Sequence, residues 1–289
     1  MSVLSCSEEL QNLGVSRCKK RPSFIKGMIT TPEDYTITAV LAASSTQWQT
    51  DILAASTSRI FLWPKAVNYE NISEEQVLEE TPLTVIGVRP GNYRYKLYFK
   101  ENLELHKRMH SHNESTGRVF LIDIDNQIIG TSDDDGVTLK GFLMDNLLVE
   151  KLMLNDGSQA TKTPVNIYTA DNKEMDDNGF MVEANFINSL ISLTSVNLTE
   201  VGTSIATLIT VDVKSALDNV PLIGLVNADF SLVDASGVAQ TITGVTEISD
   251  GRYECAGVGL VTGELNLVSA ATLSIPGFES AAAVAITIV

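Results

Sequence analysis

Apolar and polar residues alternate in short runs along most of the chain, and the runs are cut at brief intervals by turn-forming clusters. Asp34-Tyr-Thr-Ile-Thr-Ala-Val-Leu41 alternates with a period of two, and Arg59-Ile-Phe-Leu-Trp63 ends at Pro64, so both are expected to be strands, with helix and loop across 42–57. Leu83-Thr-Val-Ile-Gly-Val-Arg89 and Tyr93-Arg-Tyr-Lys-Leu-Tyr-Phe99 flank Pro90-Gly91-Asn92, a pattern that predicts a hairpin. Its second strand would turn Tyr93, Tyr95, Leu97 and Phe99 to a core and Arg94, Lys96 and Tyr98 to water. Leu105 and Met109 lie one helical turn apart among charged residues, which predicts a short helix over 101–110.

Strand patterns then resume over 118–123, 127–130, 137–143, 147–154 and 164–168. Asp125-Asn126, Ser132-Asp-Asp-Asp-Gly136 and Asn155-Asp-Gly157 punctuate them as turns. An amphipathic stretch surrounds Phe186-Ile-Asn-Ser-Leu-Ile191, and about seven more strands rich in Val, Ile, Thr and Ala occupy the remainder. Strands at this cadence imply a mainly β protein built from sandwiches or barrels.

A length of 289 residues suggests two domains, and the change of character near residue 195 suggests where they divide: 1–194, a β-sandwich or barrel-like unit with a short helix and an N-terminal arm, and 195–289, a second sandwich. Charge supports the boundary. The formal net charge is −16, and the last 95 residues carry half of it because their only basic residues are Lys214 and Arg252. So acidic a chain would repel phosphate backbones and anionic lipid, which argues against sequence-independent nucleic-acid binding and against a membrane partner. No apolar stretch approaches the ~20 residues that span a bilayer, and no signal-peptide pattern opens the sequence, so a protein made and assembled in a reducing cytoplasm is expected.

Candidate chemistry is sparse. Cys6, Cys18 and Cys255 are odd in number and lack C-x-x-C spacing, so free thiols are expected, although Cys6 and Cys18 could pair across a short loop. His106 and His110, with Glu104 and His112 nearby, have the i, i+4 spacing of metal ligands, but H-E-x-x-H is absent and a solvated helix face accounts for the same residues. Asp133-Asp-Asp-Gly136 lacks the alternating ligands of a calcium loop, since its twelfth position is Met144. Neither nucleophile elbow, P-loop nor dinucleotide fingerprint occurs. The reading is therefore of a non-enzyme with no catalytic, cofactor or metal residues and no cofactor. The dense acidic stretch from Glu70 to Glu80 is expected to be a solvated face or loop.

Two resemblances give this architecture a direction. Val220-Pro-Leu-Ile-Gly-Leu-Val-Asn-Ala-Asp-Phe230-Ser-Leu-Val-Asp-Ala-Ser-Gly237, followed by Ile242-Thr-Gly-Val-Thr-Glu-Ile-Ser-Asp-Gly-Arg-Tyr253, resembles bacterial Ig-like modules. That resemblance implies that Phe230 and Leu232 point inward, that Asp234 to Gly237 turn a hairpin, that Gly251 supplies a turn and that Tyr253 anchors a corner through its hydroxyl. The whole plan, together with Gly141-Phe-Leu, Lys162-Thr-Pro-Val-Asn-Ile-Tyr and Asp171-Asn-Lys-Glu174, is similar to major tail (tube) proteins of long-tailed bacteriophages. It implies a virion protein that closes with itself into stacked homo-oligomeric rings or a lattice, contacts other virion proteins and lets DNA pass without specific binding. Glu70–Glu80 and Asp133–Asp135 would be candidate lining for such a passage. A capsid auxiliary or decoration protein uses the same parts, and a surface adhesin is a third class, disfavoured by the lack of tandem repeats.

Overall fold

The computed structural model describes residues 22–54, 57–81, 84–89, 91–100, 103–133 and 136–289, with side chains left undescribed over 79–90. Strand outweighs helix by 46% to 12%, so the protein is mainly β. It divides into two compact units, the second beginning at Ile191.

In the first unit the strands are β1 (Ile25–Thr31), β2 (Ile37–Thr38), β3 (Phe61–Leu62), β4 (Asn68–Asn71), β5 (Val77–Thr81), β6 (Thr84–Arg89) and β7 (Arg94–Phe99). They are followed by β8 (Ser115–Asp123), β9 (Gln127–Ser132), β10 (Thr138–Lys140), β11 (Phe142–Val149), β12 (Thr163–Thr169) and β13 (Gly179–Glu183). Four helices intervene: α1 (Ala39–Ala42), α2 (Ser45–Ile52), α3 (Leu103–His110) and α4 (Lys173–Asp176). Eleven of the strands form one sheet that curls into a half-barrel, with the main order β2-β10-β9-β8-β11-β12-β7-β4.

The sheet branches at β8. One edge of that strand pairs with β1 from Arg118 to Asp123, whereas the other pairs with β11 from Ser115 to Val119 and with β9 at Leu121 and Ile122. Gly117 lies before that change of partner, paired with Met144 of β11 and just past the last β8 residue paired with β1. Its φ of +126° is closed to most L side chains, and a Cβ there would lie 2.4 Å from the Thr31 carbonyl oxygen. The run Val119-Phe-Leu-Ile122 is apolar throughout, rather than alternating, because both faces of β8 are covered. Val119 and Leu121 enter a core with Met28, Leu97, Phe99, Phe142, Val165 and Ile167. Phe120 and Ile122 enter a second core with Ile29, Trp48, Ile52, Ile128 and Phe180. The Trp48 indole N–H donates to the Ala42 carbonyl at 2.9 Å, so the ring is buried with its polar atom satisfied.

Three expectations change. Residues 83–89 and 93–99 do not form a hairpin with each other: β6 pairs with β5, while both edges of β7 are taken by β4 and β12. The acidic stretch from Glu70 to Glu80 supplies strand residues to β4 and β5, and residues 70–72 and 75–78 are exposed, a solvated face as expected. Tyr98 is buried rather than wet, because Lys96 and Lys162 lie over its ring with their ammonium nitrogens 5.7 and 4.7 Å from its centroid. The alternation of 34–41 gives only the two residues of β2 before α1, whose first turn is capped by the Thr38 side chain accepting from Leu41 N–H. In addition, β13 arises inside a stretch that reads as polar loop, the strand patterns of 137–143 and 147–154 become a short β10 and a continuous β11, and Phe186-Ile-Asn-Ser-Leu-Ile191 yields one 3-10 turn.

The second unit contains β14 (Thr194–Glu200), β15 (Leu208–Ser215), β16 (Phe230–Asp234), β17 (Ala239–Gln240), β18 (Ile242–Ser249) and β19 (Arg252–Gly257). It ends with β20 (Gly263–Leu267), β21 (Phe278–Ser280) and β22 (Val284–Ile286). One sheet runs β18-β19-β15-β14-β21 and the other β17-β16-β20-β22. Taken in chain order, β14, β15, β19 and β18 occupy the A, B, E and D places of an immunoglobulin-type sandwich, and β16, β20 and β22 the C, F and G places. Its core comes from both sheets: Val196, Ile209, Val211, Val213, Tyr253 and Cys255 face Phe230, Leu232, Leu265 and Ile286. Phe230 and Leu232 point inward, and residues 235–238 connect the β16-β17 hairpin. Gly251, at φ +68°, makes the turn between β18 and β19.

Candidate functional site

The first unit holds a cleft of about 520 Å³ whose lining is mostly apolar and includes four aromatic rings, Phe24, Tyr69, Tyr93 and Tyr95. Its wall follows from strand periodicity. Side chains two residues apart share a face, so Tyr95 in β7 and Tyr93 just before it stand side by side, and antiparallel pairing with β4 brings Tyr69 and Asn71 alongside. The rings form a row: Tyr93 and Tyr95 have centroids 6.4 Å apart and planes 16° apart, and Tyr95 and Tyr69 are 6.2 Å and 30° apart. Ile25, Leu121 and Ile129 close the floor, Met175 adds an apolar side wall, and Pro22, Ser23 and Phe24 form a rim on which the Phe24 ring is 70% exposed.

Polar groups hold this wall in place. The Tyr93 hydroxyl donates to the Asp176 carboxylate at the end of α4, and the Tyr93 backbone N–H donates to the Asn172 side chain at 3.3 Å. The Asn172 amide in turn donates to the Gly91 carbonyl, so α4 and the 91–93 segment are stapled together. The hydrogen bond to Asp176, with burial, pushes the Tyr93 phenol up to about 12. Burial likewise raises Tyr69 and, more strongly, Tyr95. All three rings therefore stay neutral at physiological pH, and among the described residues no lysine or arginine lines the cleft. Size and lining are those of a binding site: apolar walls with a few fixed polar groups.

The opposite face of β7 uses tyrosines and cations in another way. Besides the two lysines over Tyr98, Arg94 lies over the Tyr168 ring at 5.1 Å. Glu150 accepts from Lys96 and Asn166, each at 2.7 Å, and although its partial burial acts the other way, these bonds hold its carboxyl below the usual range. Within the acidic stretch, Glu70 accepts from the Tyr98 hydroxyl at 2.9 Å and Glu74 pairs with Arg94 at 2.8 Å.

The histidines of α3 do not converge. His106 Nδ1 lies 2.9 Å from the Thr163 hydroxyl, and its ring is 6.2 Å from that of His110. Glu104 pairs with Lys107, and His112 packs against Phe61 and Trp63 at 4.7 and 5.6 Å. Among the described residues no group of three His, Cys, Asp or Glu side chains could hold a metal ion. Asp134 and Asp135 lie outside the described residues, whereas Asp133 contacts Lys140 and accepts from Gly136 N–H in a turn. Cys6 and Cys18 also lie outside them. Cys255 is a free, buried thiol that burial pushes up to about 12, so it is inert at neutral pH.

Sequence reasoning took Tyr93 and Tyr95 as plain core residues, and that assignment missed the cleft. The available signal was residue type. A strand face that is only packed is served by Leu or Val, whereas repeated tyrosines place rings where one end can meet water or a ligand. No protein-family model matches the chain, and no curated protein matches it. Among the described residues no helix is long and apolar enough to cross a membrane.

Proposed function

We propose that the chain is a structural subunit of a tailed-bacteriophage virion, the major tail protein, which closes into rings that stack into a tube around a DNA passage. The observation carrying this reading is the hairpin β5-β6. It forms a two-stranded sheet of its own outside the eleven-stranded sheet, and Val77 and Leu78 on it are 44% and 52% exposed. An isolated two-stranded ribbon is marginal in water, and exposed apolar residues on it favour completion by another chain. The sheet also ends on open strands: among the described residues β4 pairs only with β7, and β2 only with β10. Unpaired edges are a hazard in a monomer and an asset in a subunit whose neighbours extend the sheet head to tail around a ring.

Charge fits the same reading. A net −16 suits a passage through which DNA must slide without sticking, and Glu75 is an exposed acidic residue in the segment leading into β5. The immunoglobulin-type unit, with its own core, would serve as an outward appendage. No reaction is assigned to the chain.

Electron microscopy of the purified protein over rising concentration tests the proposal. Rings or hollow tubes are expected. Discrete particles that coat isolated capsids would replace the tail role with decoration, and monomers persisting at all concentrations would overturn self-assembly.

A further inference from the structure

The tyrosine cleft has a chemical preference that can be derived from its walls. Aromatic faces carry negative potential and attract ammonium and guanidinium groups, and the attraction grows when the cation is partly removed from water. Three neutral phenol rings, an exposed phenylalanine ring and the Asp176 carboxylate at the Tyr93 hydroxyl offer such a group everything it needs. The floor of Ile25, Leu121 and Ile129 suits the aliphatic stems of lysine and arginine. The same strand shows the pairing at work on its other face, where Arg94, Lys96 and Lys162 lie over tyrosine rings at 4.7–5.7 Å. In the cleft the rings have no such cation among the described lining residues.

We infer that this cleft is a docking site for a short basic peptide segment contributed by a second copy of the chain. The protein is acidic overall, yet its sequence holds one dense basic run, Arg17-Cys-Lys-Lys-Arg21, with four cations in five residues. Arginine and lysine stems would lie along the tyrosine row, and a cationic head would reach Asp176. The choice of a second copy as donor rests on the assembly reading, whereas the preference of the cleft for cations does not.

The test is titration of the full-length protein with a synthetic peptide of residues 15–23 carrying Cys18→Ser, followed by calorimetry and by tyrosine fluorescence. Saturable binding is expected, weakening at least tenfold when the four basic residues of the peptide are changed to Glu. Asp176→Lys, a change at an exposed position, should also weaken it at least tenfold. Tyr93→Phe keeps the ring and should stay within threefold of wild type, while Tyr93→Ser should lose tenfold or more. Absence of binding to the wild-type protein would overturn the inference, as would affinity unchanged by Asp176→Lys in a protein with native melting behaviour. Preferential binding of a neutral oligosaccharide in place of the peptide would overturn it as well. Ring formation seen by microscopy without peptide binding would sink the docking site and leave the assembly reading intact. Peptide binding without rings would do the reverse for the assembly reading.

Discussion

Tyr253 lies wholly inside the second unit, yet its hydroxyl is fully used. It donates to the Leu222 carbonyl at 2.8 Å and accepts the Leu225 N–H at 3.2 Å, fastening the connection between β15 and β16 to β19. The corner expected from the family resemblance is present, but it is built from the strand in the E place rather than the F place. Tyr253→Phe removes the hydroxyl and leaves a buried carbonyl and N–H unpaired, so a loss of about 1–3 kcal/mol is expected in chemical denaturation of this unit. Nearby, Asp229 is buried and accepts from the backbone N–H of Val226 and Ser274, each at 2.7 Å, and from the Ser274 hydroxyl. Asp212 illustrates a residue-scale pH effect. The Arg252 guanidinium bonded to it at 2.6 and 3.0 Å, helped by Lys214, holds its carboxyl below the usual range. The contribution of a carboxylate depressed in the folded state is complete above its unfolded value of roughly 4 and is lost as pH falls through the folded value. Melting temperature of the second unit should therefore decline as pH drops below about 4, and Asp212→Asn should flatten that decline while lowering the neutral-pH melting temperature.

Partner choice is the element-scale lesson of β5, β6 and β7. Local pattern marks 83–89 and 93–99 as the two strands of one hairpin; both strands exist, but they do not pair with each other. Which edges they use depends on β4 and β12 taking both edges of β7, a choice among partners up to 74 residues apart that no local pattern encodes. The same holds for β4 and β5, where glutamates obscured strand character that pairing then enforced. Tyr98 reads as wet by alternation but is covered by Lys162, more than 60 residues away. If β5-β6 is an assembly element, replacing residues 77–89 by a short Gly/Ser linker should leave the circular dichroism spectrum and the main melting transition close to wild type while abolishing rings. Rings that form normally without the hairpin would remove it from the interface.

Each unit of the whole molecule has its own sheets and its own core. Residues 191–289 contain both halves of their sandwich, with Tyr253, Leu265 and Ile286 inaccessible at its centre. Produced alone, this segment should fold cooperatively and melt in one calorimetric transition; a molten, dye-binding product would show that its core is incomplete. From the sequence itself came the mainly β class, the change of character near the second unit, α3, and the inward face of β16, because alternation, turn chemistry and apolar runs act over a few residues. Tertiary structure decided the strand partners, the branching of the sheet at β8, the burial of Tyr98 and the meeting of Tyr69, Tyr93 and Tyr95 in one cleft, with Asp176 bonded to the Tyr93 hydroxyl. Those depend on which distant edges and faces meet, and a side chain's local pattern states only that it has a face to bury, not against what.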